Sequence, residues 1–307
     1  MSESIWQGRY DGEDLLAKRL FQIVTLEKDY TKIQTEDFII HGFAVDEGVA
    51  RNKGRVGAKD APDIIRKNMC NFSVFNPEIR ICDFGNVECN DGLLEFAQAD
   101  LAAKVRCVLQ RGAKSIVLGG GHEVTYAHYS GVKAAYPKAK VGIINFDAHF
   151  DNRELDPSVG ATSGTGFWQI AHEGDIHSLH IGIQKNSNTL RLFHTAHKFG
   201  MKYILADEVF YENLNAIYAK VDDLLNQVDV IYVTICMDVF NAAIAPGVSA
   251  TSYNGMFCDH TLLSVFRHIF KNSKMKALDV AEVNPKYDIA DRTARLAACL
   301  VNEWIMI

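Results

Sequence analysis

The chain has 307 residues, enough for one large α/β domain or two small ones, with ordinary globular usage of 48% apolar and 23% charged residues. A formal net charge of −6 argues against a broad nucleic-acid surface, and no apolar run reaches the roughly 18 residues that a membrane helix needs. The acidic start MSESIWQGRYDGEDLL has no signal-type apolar core, and 7 cysteines without a C-x-x-C pair fit reduced thiols in a cytoplasmic protein. In chain order, short apolar runs predict strands at 38–43, 79–84, 115–118, 141–146, 178–183, 202–205, 229–235 and 276–281. Helical patterns fall at 61–69, 92–111, 123–136, 189–199, 211–226, 259–271 and 290–305. The last places Ala290, Ala294, Leu296, Ala297, Leu300, Val301 and Trp304 on one apolar stripe. Strands alternating with helices predict a parallel sheet covered on both faces. With no linker, repeat or low-complexity tract, 1–307 reads as a single α/β domain. Two stretches, 147–168 and 236–258, break the alternation as long Gly/Ser/Pro-rich loops directly after strands. Loops at the C-terminal ends of parallel strands are where α/β enzymes carry their chemistry.

The first loop opens with NFDAHFD, residues 145–151. Asp147, His149 and Asp151 recur at every second position, and an extended chain points such residues the same way. Two carboxylates and an imidazole facing together form a ligand set for Mn²⁺, Fe²⁺ or Zn²⁺ more than for Ca²⁺. A second motif, LGGGHEVTYAH at 118–128, ends a strand in three glycines and sets His122 near a helix start. It lacks the Lys and Ser/Thr of a phosphate-binding loop. A lone His beside glycines reads as structural; a second imidazole in the next strand's loop raises its value. A third motif, TICMDVFNAAIAPGVSA at 234–250, carries Asp238 with Cys236 two residues earlier on the same strand face. A fourth, LDVAEVNPKYD at 278–288, carries Asp279 within a strand and Glu282 just beyond it. Glu282 is positioned to contact a cationic substrate group; for Asp279 a buried structural role and a role in the site weigh equally.

These four blocks, in this order, resemble the arginase–agmatinase–formiminoglutamase superfamily over about half of the chain. The resemblance implies a three-layer αβα fold with a mainly parallel eight-stranded sheet, and metal ligands His122, Asp147, His149, Asp151 and Asp238. The pattern wants a bridging Asp where Cys236 stands. WQGR at 6–9, RNKGRVGA at 51–58, SGTGFWQI at 163–170 and AEVNPKYDIADRTARLAA at 281–298 are most similar to the formiminoglutamase branch. Arginase and agmatinase carry His-Gly where this chain has Ser163–Gly164, and Gly166 stands where that branch has proline. The branch acts on N-formimino-L-glutamate, giving L-glutamate and formamide in histidine degradation, with a binuclear Mn²⁺ centre and a homo-oligomeric assembly.

On that resemblance, Asp151 orients the nucleophile and moves its proton, and Glu282 pairs with the cationic N–H face of the substrate. The dicarboxylate end needs positive partners. Arg153, Asn52 and Arg55 are candidates, with Ser163 beside them. Arg51 and Arg55 also read as surface or structural cations. A thiol at position 236 is a softer ligand with one donor atom, so the second ion is in doubt. Three outcomes follow: a single metal, a softer pair such as Zn²⁺ with Cys236 as ligand, or a fold that has lost hydrolysis. Two other functions compete: a ureohydrolase acting on agmatine or guanidino acids, and a non-catalytic relative acting as a binding subunit.

Overall fold

In the computed structural model, residues 5–307 are described. The first four positions of the predicted domain, and of the acidic start, lie outside them. Nine strands form one sheet: β1 (Val24–Leu26), β2 (Phe38–Ala44), β3 (Ile81–Glu88), β4 (Lys114–Leu118), β5 (Val141–Phe146), β6 (His177–Ile183), β7 (Lys202–Leu205), β8 (Val230–Cys236) and β9 (Met275–Ala281). Their spatial order is β1-β3-β2-β4-β9-β8-β5-β6-β7, and each pairing is parallel. The sequence predicts eight strands; the ninth is β1, whose three residues are too few to show a period.

Nine α-helices are described: α1 (Glu47–Arg51), α2 (Ala61–Met69), α3 (Leu94–Gln110), α4 (Val124–Ala135), α5 (Gly166–His172), α6 (Leu190–Lys198), α7 (Leu214–Gln227), α8 (His260–Phe270) and α9 (Arg292–Ile305). The sequence misses α1 and α5. Each has at most seven residues, under two full turns, and α5 occupies the end of the expected 147–168 loop. Helix α9 starts two residues late because Ala290 and Asp291 take positive φ. The Asp288 carboxylate then accepts from the backbone N–H of Thr293 and Ala294 at 3.1 Å, supplying acceptors to the first turn.

Strand side chains alternate between two cores. Ile116, Ile144, Val233 and Ile235 pack with α2, α7, α8 and α9. Val117, Ile143 and Tyr232 pack with α3, α4, α5 and α6. A strand buried on both faces reads as a nearly continuous apolar run, as VGIINF and VIYVTI do. After β7 the chain turns back to β8 and β9, which fill the sheet between β4 and β5, so the connections leaving the neighbouring β8 and β5 run in opposite directions. That point opens a crevice at the strand ends, where α/β folds bind ligands.

The N-terminal segment is anchored by charge. Arg66 on α2 is fully buried and grips Asp83 on β3 through Nε at 2.8 Å and Nη2 at 2.9 Å. The Trp6 indole N–H donates to the same carboxylate at 2.8 Å, which gives the WQGR segment its place. Removing one partner of such a pair strands the other charge in the core. Asp83→Ala is therefore expected to destabilise the fold by about 3–5 kcal/mol in denaturant titration, far more than a surface acid would.

Candidate metal and substrate site

Four adjacent central strands, β4, β9, β8 and β5, end beneath one cavity of about 330 Å³. Its lining includes His122, His149, Asp151, Cys236, Asp238 and Glu282. After β4 the three-glycine turn lets the backbone pass closely: a Cβ on Gly120 would lie 1.8 Å from the Val45 carbonyl oxygen. The Glu282 N–H donates to the Gly120 carbonyl at 2.8 Å, and the His122 N–H donates to Glu282 Oε1 at 2.9 Å. These bonds fix the post-β4 turn to the post-β9 turn.

After β5 the extended alternation expected for 147–151 does not persist. The chain bends at 148–149, and Asp151 adopts φ 45°. The three side chains converge through a braced loop instead. The His149 N–H donates to Asp147 Oδ1 at 2.7 Å. Asn188 accepts from the Phe150 N–H at 3.0 Å and donates to the Ala148 carbonyl at 2.8 Å.

His122 Nδ1 lies 3.0 Å from Asp147 Oδ2 and 2.8 Å from Asp151 Oδ2. His149 Nδ1 lies 3.4 Å from Asp147 Oδ1 and 3.2 Å from Asp238 Oδ2. Two ligand triads result, with donor atoms within 4.8 Å of one another: His122, Asp147 and Cys236, and Asp147, His149 and Asp238. Asp147 belongs to both, and Cys236 joins the first. Oδ1 of Asp238 and Oε2 of Glu282 are buried without a protein hydrogen bond, as acceptors facing a cation would be. This donor set fits a divalent ion.

The electrostatics agree. Burial raises the carboxyls of Asp151 and Asp238, and the Asp147 charge adds to it. Burial, with the Glu123 and Asp238 charges, pushes Glu282 up to about 8. Burial also works against ionised Asp147, yet hydrogen bonds from His122 and His149 hold its carboxyl well below the usual range. Burial disfavours both imidazolium ions, but the carboxylates win and raise His122 and His149 well above an ordinary histidine. The Cys236 thiol is raised by burial and then by Asp147 and Asp238.

The rim carries Asn52, Lys53, Arg55, Arg153 and Ser163. Asn52 donates to Ser163 Oγ at 3.1 Å. The Arg153 side chain is exposed and, among the described residues, has no ion-pair partner. Arg55 is more committed than the sequence suggests: its Nε donates to the Ser249 carbonyl at 2.8 Å, its Nη2 bonds the Val248 carbonyl, and its guanidinium stacks on Tyr287. Arg51 clasps Glu47 and Glu95 away from the cavity. Asp279 points into the buried layer between sheet and helix, where it bonds Thr234, Tyr232 and His128. Sequence reasoning passed over Lys53, which sits in the RNKGR loop with φ 61°, and Glu123. Glu123 follows His122, is fully buried, and accepts from the Gly48 N–H at 2.8 Å. It ties α1 and the rim to the floor; the signal for it was the GGGHE string itself.

The sequence model of the Arginase family matches residues 36–307. A formimidoylglutamase of Staphylococcus carnosus is 43% identical, covering 98% of this chain and 97% of its own. A formimidoylglutamase of Vibrio parahaemolyticus is 40% identical, covering 96% and 91%. The crystal structure of Trypanosoma cruzi formiminoglutamase with Mn²⁺ superposes with TM-score 0.80 at 26% identity, covering 88% of this chain and 93% of that one. Formimidoylglutamase from Bacillus subtilis superposes with TM-score 0.87 at 20% identity, covering 97% and 93%, a likeness of fold.

An ion entering this site competes with protons for imidazoles, a thiol and the Asp151 and Asp238 carboxyls, whose proton affinity is raised. Divalent-ion binding is therefore expected to tighten as pH rises and to release protons, and to weaken as pH falls. Titration calorimetry in buffers of different ionisation enthalpy measures the released protons; a binding constant flat with pH would contradict this reading.

Proposed function

We propose that this chain, which belongs to the arginase family, hydrolyses N-formimino-L-glutamate to L-glutamate and formamide. The observation that carries the reading is the polarity of this cavity: an acidic and imidazole floor suited to an amidine, under a rim of Arg153, Lys53 and Asn52 suited to a dicarboxylate. An agmatinase-type ureohydrolase would need an acidic rim for a cationic tail, and this rim is basic. The reaction places the enzyme in histidine degradation. Free thiols at every cysteine support a cytoplasmic location, and the family resemblance supports a homo-oligomer.

His122, Asp147 and Cys236 would hold one ion, and Asp147, His149 and Asp238 the other. When bound, divalent ions supply the Lewis acidity that makes water a nucleophile near neutral pH. Asp151, whose Oδ2 faces His122 Nδ1 at 2.8 Å, orients that water and carries its proton to the leaving amine. Glu282 receives the cationic N–H face of the formimino group, which favours the carboxylate form of a side chain otherwise raised to about 8. Arg153, with Lys53 and Asn52, binds and aligns the dicarboxylate.

Manganese is the cofactor of this reading, with the second ion held weakly because a single sulfur replaces a bridging carboxylate. The purified protein is expected to release formamide from formiminoglutamate when Mn²⁺ is added. Cys236→Asp should raise second-ion occupancy and rate, by roughly tenfold if a ligand counts for at least as much as its outer partners. Absence of formamide from both proteins with Mn²⁺ present would sink the assignment. Arg153→Ala removes one charge-assisted hydrogen bond, of about 1.5–3 kcal/mol. The expected result is a KM raised roughly 10- to 100-fold with kcat less affected, read from initial rates.

A further inference from the structure

Behind the metal-facing side of His122 runs a buried chain of hydrogen bonds in which every proton has one place. On β8, Thr234 stands in register with Asp279 on β9. Thr234 Oγ1 lies 2.6 Å from Asp279 Oδ1 and 3.0 Å from His122 Nε2. The carboxylate also receives the Tyr232 hydroxyl at 2.5 Å and His128 Nδ1 at 2.7 Å. His128 Nε2 is met by Ser115 Oγ at 3.0 Å. All of these side chains are buried, out of contact with bulk solvent. None except His122 lines the cavity.

A carboxylate accepts only, so the single hydroxyl proton of Thr234 goes to Asp279. Thr234 Oγ1 is then an acceptor toward His122, and Nε2 must carry a proton to meet it. The opposite tautomer would turn the Thr234 hydroxyl toward Nε2 and leave it facing Asp279, at 2.6 Å, without a proton between the two oxygens. Thr125 Oγ1, 3.3 Å away, does not change this, because it has Thr234 Oγ1 as its acceptor. We propose that Thr234, backed by Asp279, is a positioning residue that keeps the His122 proton on Nε2 and so presents Nδ1 to the ion. Ligand histidines commonly donate their outer N–H to a carboxylate, a backbone carbonyl or a water; here a hydroxyl backed by a carboxylate takes that place. The inference rests on the functional reading above only in taking His122 as a ligand.

The test uses the full chain without substrate and follows free Mn²⁺ by electron paramagnetic resonance. Thr234→Val keeps the shape and removes the hydroxyl, and is expected to weaken Mn²⁺ binding roughly 10- to 100-fold. Thr234→Ser loses the methyl packing but keeps the hydroxyl; it should lose stability and retain binding, a split that a packing role would not produce. Independently of any variant, ¹⁵N NMR of histidine-labelled wild-type protein loaded with Zn²⁺ should find the His122 proton on Nε2. Val binding Mn²⁺ as tightly as wild type, Ser losing as much as Val, or a proton on Nδ1 would each overturn the relay. Wild type that holds no Mn²⁺ overturns relay and function together; wild type that holds Mn²⁺ yet releases no formamide overturns only the function.

Discussion

Several acids brought to one point in a low-dielectric interior demand positive charge to match them, and that demand organises this molecule. Asp147, Asp238, Glu282 and Cys236 are buried, with Asp151 beside them at the cavity floor. Burial alone would neutralise such a set by protonation. Two imidazoles supply part of the compensation, and Asp147, placed between them, is the acid of this set whose carboxyl they hold below the usual range. Acceptor oxygens left over on Asp238 and Glu282 mark where the remaining charge belongs. The site is thus expensive to fold and selective for what completes it.

A scaffold that holds such a cluster must resist its own repulsion. The ligands rise from four neighbouring strands whose side chains are packed on both faces, so no single element can move to relieve the strain. Short loops after the strands are stitched to one another by backbone bonds at Gly120, Glu282 and His122. Asn188 and Glu123 extend that bracing outward, the first to the Asp147–Asp151 loop and the second to α1 and the substrate rim. Chemistry and recognition are therefore tied by side chains that touch neither ion nor substrate.

Polarity divides the cavity. The floor is acidic and suits an amidine carbon and its nitrogens; the rim is basic and suits a pair of carboxylates. Cys236 is the one discordant element. As a ligand it would offer a single soft donor where a carboxylate can reach two ions, which is the ground for the weaker second ion proposed above.

Local sequence was enough for the layers and for the kinds of side chain that gather at the cavity. Nearly continuous apolar runs of six or seven residues, such as VGIINF and VIYVTIC, suit a sheet covered on both sides, and they located their strands within a residue or two. NFDAHFD, GGGHE and CMDV supplied the candidate ligands, because carboxylates beside a buried strand end are costly unless paired or metal-bound, and the fold brings these side chains together. Three-residue β1 and the short helices α1 and α5 were illegible, since periodicity needs more turns than they contain. Three outcomes emerged only on assembly: Asp151 reaches the cluster through a positive φ, Arg55 bonds a loop while Arg153 has no ion-pair partner among the described residues, and Asp279 turns inward to Thr234. Each depends on what another segment, scores of residues away, sets against the side chain, and no local pattern carries that information.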